Sequence, residues 1–145
     1  MSGVRVMFHF NAADPLAYTC RLVMKAIARH TRMVVCASVD QLAVLDQQLW
    51  GLGDSLFVPH APVGAPVHVL QHSPVWLRSE LVGDEPQGVL LNMAHAVPSG
   101  FERFERLIEV VSSAEADRVA ARVRWRAYAA QGISPGTFDA GGIGA

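Results

Sequence analysis

The stretch VRVMFHFNAADPLAYTCRLVMKAIARHTRMVVCA, residues 4–37, decides the fold class. Its first seven and last six residues are short apolar runs, which predict buried strands over 4–10 and 32–37. Between them Asp14 stands at a helix N-cap and Pro15 at the first helical position, and apolar residues follow at helical spacing. Two strands joined by a helix normally lie parallel in one sheet. The stretch therefore predicts an α/β fold.

The same alternation continues along the chain. Three serines, each followed three positions later by Glu or Gln, predict helix starts: Ser38–Gln41, Ser99–Glu102 and Ser112–Glu115. Further strands are expected over 67–70, 88–93 and 106–111, although 106–111 could instead extend the helix that Ser99 opens. A last helix ends near Ala130 before Gly132. We expect a three-layer α/β fold with a mainly parallel central sheet flanked by helices. It occupies a single domain over 1–132, and a flexible Gly- and Pro-rich tail follows over 133–145.

Composition narrows the class of protein. The chain has 145 residues and is 51% apolar, which is enough for a packed core and argues against disorder. No apolar run is long enough for a membrane span or a signal peptide. Two cysteines, Cys20 and Cys36, fit reduced thiols in the cytoplasm better than a disulfide framework. A net charge of -1 argues against a general nucleic-acid binder, because such domains are usually strongly basic.

Motifs for catalysis are missing. There is no P-loop and no nucleophile elbow, and GLGDSL (51–56) carries only two of the three glycines of a dinucleotide fingerprint. The six histidines have no metal-ligand spacing. The sequence therefore predicts no catalytic residue, no metal and no cofactor. One alternative stays open, a small nucleotide-binding or hydrolase-like enzyme with a site near Asp14, although the N-cap role already accounts for that carboxylate.

The segment AARVRWRAYAAQG (120–132) sets arginines around aromatic residues. On a helix Arg118, Arg122 and Arg126 fall at i, i+4 and i+8, and Trp125 lies in the same sector. Such a row is either a solvated face or a site for a carboxylate with an apolar neighbour. The packed face is expected to be the neighbouring apolar set Val119, Val123, Ala127 and Ala130.

A second feature is LDQQLWGLGDSLFVPH (45–60), in which Trp50 ends a helix and Phe57 follows a glycine-punctuated loop. Large rings near a loop are either the edge of the core or anchors for a partner protein.

Together these segments resemble one family, the chi subunit of bacterial DNA polymerase III holoenzyme. The resemblance extends from residue 4 to 132, and five segments in the family's order and spacing carry it: LDQQLW (45–50), FVPH (57–60), VLLNM (89–93), FERLIEVV (104–111) and ARVRWRAYAAQG (121–132). The combination of LDxxLW, FxPH and the arginine–aromatic helix is the specific part.

The resemblance implies a non-catalytic adaptor that ties the clamp loader, through the psi subunit or another component, to the acidic C-terminal tail of single-stranded DNA-binding protein. It implies that Trp50 and Phe57 face psi. It also implies that Arg118, Arg122, Trp125 and Arg126 bind the tail, so that DNA is reached only indirectly. Thr137 is not assigned to this site, because the segment after Gly132 matches the family poorly. A peptide-binding module for some other acidic partner stays the rival interpretation.

Overall fold

The computed structural model of the chain describes residues 3–50 and 74–143. The described part contains six strands, which form one parallel sheet in the order β3-β2-β4-β5-β1-β6. The strands are β1 (Arg5–Ala12), β2 (Met33–Cys36), β3 (Val75–Arg78), β4 (Val89–Asn92), β5 (Arg106–Ser112) and β6 (Gly136–Asp139). The helices are α1 (Pro15–Ala28), α2 (Val39–Trp50) and α3 (Glu115–Ala130), with 3-10 turns at Phe101–Arg103 and Ala140–Ile143.

Helices cover both faces of the sheet. Buried residues of α1 and α2 pack with one set of strand side chains, among them Val35 and Leu91. On the other face Ala121 and Tyr128 of α3 pack with the alternate set, among them Leu90. Because successive strand residues point to opposite faces, strands buried on both sides read as continuous apolar runs. The predicted three-layer α/β fold is confirmed.

Two predicted helix starts are confirmed. Asp14 caps α1, because its Oδ1 accepts a hydrogen bond from the Ala17 amide at 3.1 Å. The predicted capping box opens α2, where the Ser38 amide donates to Gln41 Oε1 at 3.0 Å and the Gln41 amide donates to Ser38 Oγ at 3.2 Å.

The other two predicted starts are wrong. Ser112 is the last residue of β5, and its hydroxyl donates to Asp117, while Ala114 is the N-cap of α3 without a side-chain hydrogen bond. The 3-10 turn at Phe101–Arg103 begins after Gly100, which takes a left-handed backbone with φ 93°. A spacing of three residues fits many segments, and the extended backbone of Ser112 is held by its sheet neighbours instead.

The structure differs from the prediction at both edges of the sheet. The strand expected over 67–70 lies outside the described residues, and β3 is an unpredicted strand. Residues 133–145 were expected to be a flexible tail, but Gly136–Asp139 pair with β1 as strand β6, from Met7 opposite Gly136 to Phe10 opposite Asp139. Backbone amides make this pairing, so it needs no apolar pattern in the sequence.

Across residues 3–50 and 74–143, none of the helices has the length and apolar character needed to cross a membrane.

Candidate functional site

A pocket of about 380 Å³ lies between α3 and the β1–β5–β6 edge of the sheet. Three elements of the sheet supply its floor through Phe8 and Phe10 of β1, Val111 of β5 and Thr137 of β6. Helix α3 supplies the wall, through Arg118, Ala121, Arg122, Trp125 and Arg126. All four residues that the sequence assigned to tail binding therefore lie around one pocket, and Thr137, which it did not assign, joins them.

The floor of this pocket is aromatic and apolar. The Trp125 ring packs against Phe8 with 5.1 Å between ring centroids, and Phe8 is 4% exposed. Trp125 itself is half-buried and packs against the core of this face. The indole is thus a rigid part of the pocket, with only part of its surface open to a ligand.

The wall of the pocket is cationic. Arg118, Arg122 and Arg126 are all exposed. Arg122 Nη1 lies 3.9 Å from Glu115 Oε1, but both side chains are largely in solvent, so this pair contributes little. Neither Arg118 nor Arg126 has an ion-pair partner within residues 3–50 and 74–143. Three guanidinium groups are therefore available beside an apolar floor.

The packed face of α3 is not the predicted one. Val119 and Val123 were expected inside, but they are 49% and 59% exposed. The buried residues of the helix are Ala121, Arg124 and Tyr128. The helix is oriented so that Arg124 and Tyr128 reach a buried acid on the sheet. This orientation leaves the two valines exposed.

That acid is Glu109, which is fully buried in the middle of β5. Its carboxylate accepts from Arg124 Nε at 2.9 Å, from the Tyr128 hydroxyl at 2.5 Å and from Asn92 Nδ2 at 3.0 Å. Burial raises the pKa of Glu109, and the Arg124 guanidinium opposes that rise. Burial, and then the Glu109 charge, also raise the pKa of Tyr128. We call these four residues the Glu109 cluster.

The Glu109 cluster fixes α3 on the sheet. Arg124 Nη1 also donates to the His95 carbonyl at 3.2 Å, and Asn92 Nδ2 lies 3.1 Å from the Ala96 carbonyl. The cluster thereby joins β4, β5, the segment after β4 and α3. Arg122, Trp125 and Arg126 lie within two residues of Arg124 on the same helix. The anchoring of Arg124 therefore fixes their positions at the pocket. The sequence carries one signal for this cluster, the glutamate inside the otherwise apolar run LIEVV (107–111), and sequence reasoning did not use it.

Among residues 3–50 and 74–143, the side chains that could do chemistry are engaged elsewhere than in this pocket. Asp14 is engaged as the N-cap of α1 and does not line it. Ser112, Asp117 and His95 form a short chain, but the carboxylate stands in the middle, with His95 Nε2 at 2.7 Å from Asp117 Oδ1. In this group of three side chains the base that contacts the Ser112 hydroxyl is the Asp117 carboxylate, and that hydrogen bond lowers its pKa, which makes it a weak base for activating a nucleophile. In the described ranges no three His, Cys, Asp or Glu side chains are grouped so as to hold a metal ion.

The resemblance assigns Trp50 and Phe57 to the interface with psi. Trp50 ends α2, but its side chain and the whole of Phe57 lie outside the described residues.

Comparisons with known proteins agree with the resemblance. The family model described as "DNA polymerase III chi subunit, HolC" matches residues 4–135. A DNA polymerase III subunit chi of Pseudomonas aeruginosa is 32% identical over 136 residues, which is 88% of this chain and 91% of that protein. The chain therefore belongs to the DNA polymerase III chi-subunit family, an accessory subunit of the replicative polymerase.

Proposed function

We propose that this protein is a non-catalytic adaptor that links the clamp loader to single-stranded DNA-binding protein during DNA replication. In this proposal the pocket beside α3 takes the acidic C-terminal tail of single-stranded DNA-binding protein. The observation that carries it is the union of three exposed arginines with an aromatic floor in one pocket. Membership of the chi-subunit family supports the assignment to the replication machinery.

The chemistry of the pocket fits the end of such a tail. A guanidinium group can bind a carboxylate through two parallel hydrogen bonds, and Arg122 is central in the row of three. Arg118 and Arg126, one helical turn to either side, attract the acidic residues that precede the end of the tail. Phe8, Phe10 and Trp125 accept an apolar terminal side chain.

A calorimetric titration with a short acidic peptide that ends in Phe tests the pocket. Arg122→Ala removes a charge-assisted pair worth roughly 1.5–3 kcal/mol, so binding should weaken about tenfold or more. Arg122→Lys should restore it only in part, because an ammonium group keeps the charge but not the planar pair. The control is Arg29→Ala, an exposed arginine at the C-cap of α1, and this variant should bind the peptide like wild type. Equal weakening by both alanine variants would refute the pocket.

The clamp-loader side of the proposal rests on Trp50 and Phe57, which stay a prediction. We expect them to form an apolar patch for psi or another clamp-loader component. A pulldown from cell lysate then separates the adaptor from its rival, a module for some other acidic partner. Single-stranded DNA-binding protein should be captured by wild type and not by Arg122→Ala, whereas capture of a different acidic protein through Arg122 would favour the rival.

A further inference from the structure

The basic residues of the chain are divided into groups with different roles. Arg78 and Arg103 pair with the buried Glu85, Arg124 pairs with Glu109, and three arginines line the pocket beside α3. Six of the twelve remain, and all are exposed: Arg5, Arg21, Lys25, Arg29, Arg32 and Arg106. None of these six has an ion-pair partner in the described part of the chain. Half of the positive charge is therefore without a carboxylate partner in the described part of the chain and outside the proposed pocket, although the Arg21 guanidinium lies 5.8 Å from the centroid of the Tyr18 ring.

Four of these cations line one groove on the opposite face of the sheet from the pocket. Two adjoining cavities of about 390 and 140 Å³ run between α1 and strands β1 and β5, and they share His9, Leu22, Lys25 and Arg106. Arg21 lines the first cavity and Arg29 the second, and no carboxylate lines either. We call the two cavities together the α1 groove.

The cations of the α1 groove form a row. Arg21 and Lys25 of α1 and its C-cap residue Arg29 fall at i, i+4 and i+8, so their backbones span about 12 Å along one side. Arg106 lies across from them at the start of β5. Such spacing suits a ligand that carries several negative charges along its length more than a single phosphate or carboxylate.

Beside this row the α1 groove offers an exposed aromatic ring. Phe138 of β6 is 40% exposed, and its ring centroid lies 5.0 Å from that of His9. The His9 imidazole is tilted by 47° to the Phe138 ring and shares a hydrogen bond with the Tyr18 hydroxyl. Burial, followed by the charges of Arg106 and Lys25, lowers the pKa of His9 to about 4, so this imidazole is neutral at pH 7.

We propose that the α1 groove binds single-stranded nucleic acid directly, with phosphates on the four cations and a base on the Phe138 ring. Proteins that bind single strands without sequence preference combine a basic groove with stacking rings in this way. This departs from the expectation that DNA is reached only indirectly. The net charge of -1 is a sum over the whole chain, so it does not describe the local charge of the α1 groove, which is positive. A peptide made of acidic residues alone would use the cations but not the exposed ring, so the contribution of Phe138 to binding distinguishes the two ligands.

The proposal does not depend on the adaptor function and is tested separately, by fluorescence anisotropy of a labelled oligo(dT) strand with the purified protein. If four phosphates are neutralised, the logarithm of the affinity falls with the logarithm of salt with a slope of about -2.8, or roughly 50-fold between 50 and 200 mM. Absence of binding at 50 mM salt would overturn the proposal.

A charge-matched pair of variants tests the place of binding. The double variant Arg21→Glu/Lys25→Glu should abolish measurable binding, since the loss of one phosphate contact alone costs about eightfold at 50 mM salt. The control is Arg118→Glu/Arg122→Glu, which changes the same charge at the same helical spacing on the other face. It should bind the strand within about threefold of wild type but lose the acidic peptide. If the control loses the strand equally, the groove is not the site.

Two further measurements separate nucleic acid from a merely acidic ligand. Phe138→Ala should weaken oligo(dT) binding about fivefold or more and leave the salt slope unchanged, because stacking carries no charge. A Glu-rich peptide should compete poorly with the strand. If this peptide competes as well as unlabelled oligo(dT), or if Phe138→Ala binds like wild type, the groove recognises charge alone and the proposal is wrong.

Discussion

Replacing Glu109 by glutamine should destabilise the protein strongly at any pH at which the wild-type carboxyl is ionised. The substitution leaves the Arg124 guanidinium, which is 3% exposed, without its charged partner. The guanidinium group of an arginine keeps its proton in proteins, so its charge cannot be lost. Removing one member of a buried pair costs about 3–5 kcal/mol. We expect Glu109→Gln to lower the free energy of unfolding by that amount.

The reverse substitution should behave differently with pH. Arg124→Met leaves a buried carboxyl whose folded-state pKa, already raised by burial, loses the opposing guanidinium. Above the folded pKa of Glu109 in wild type and below its higher folded pKa in the variant, the folded variant holds a proton that folded wild type has released. The stability of this variant relative to wild type should therefore fall as pH rises through that window, by up to about 1.4 kcal/mol per pH unit.

Urea unfolding followed by circular dichroism at pH 5 and pH 8 measures both effects. The control is Arg126→Met, an exposed arginine on the same helix, which should change stability by less than about 0.5 kcal/mol. The account of the Glu109 cluster is refuted if Glu109→Gln lies within about 1 kcal/mol of wild type. It is equally refuted if the deficit of Arg124→Met is the same at both pH values.

Three further predictions concern other parts of the chain. Asp14→Ala removes the N-cap of α1 and should cost about 1 kcal/mol in urea unfolding; nucleotide turnover by wild type that Asp14→Asn abolishes would instead favour the enzyme alternative. His9 takes up its proton at about pH 4 when folded and near 6.5 when unfolded, so stability falls as pH drops through that range, and His9→Gln should reduce this acid sensitivity by about 1–2 kcal/mol after solvent screening. Trp50→Ala should abolish capture of the clamp-loader partner and keep the unfolding midpoint; a loss of about 3–5 kcal/mol would place the ring in the core.

Local signals made the first half of the fold predictable. The apolar runs of β1 and β2 and the Asp14 cap each act within a few residues, so sequence alone identifies them. Strand β6 carries no such signal. Its residues are held by backbone hydrogen bonds to β1, and Gly136 allows a close approach to Met7, whose Sδ would lie 3.0 Å from an added Cβ. An edge strand of this kind depends on its neighbour more than on its own residues.

The residues of the candidate site could be predicted from the sequence, but the orientation of α3 and the contribution of β6 could not. Helical spacing alone brings Arg118, Arg122 and Arg126 to one side of α3, and the structure places them there. The orientation of the helix was predicted wrongly, because an apolar count ranks Val119 above Arg124 for burial. The burial of Arg124 becomes clear only when Glu109 of β5 is seen to face α3 and to pair with the Arg124 guanidinium. Thr137 could not be assigned to the site because it lies on β6, and that strand has no local signal in the sequence.

The central claim is that the pocket beside α3 holds the terminal carboxylate of an acidic tail. Calorimetry with two peptides of identical sequence, one ending in a free carboxylate and one amidated, tests it most directly. We predict that amidation weakens binding to wild type about tenfold or more and has little further effect on Arg122→Ala, because both changes remove the same charge-assisted pair. Equal affinity of wild type for the two peptides would contradict the claim and leave the arginine row as a solvated face of α3.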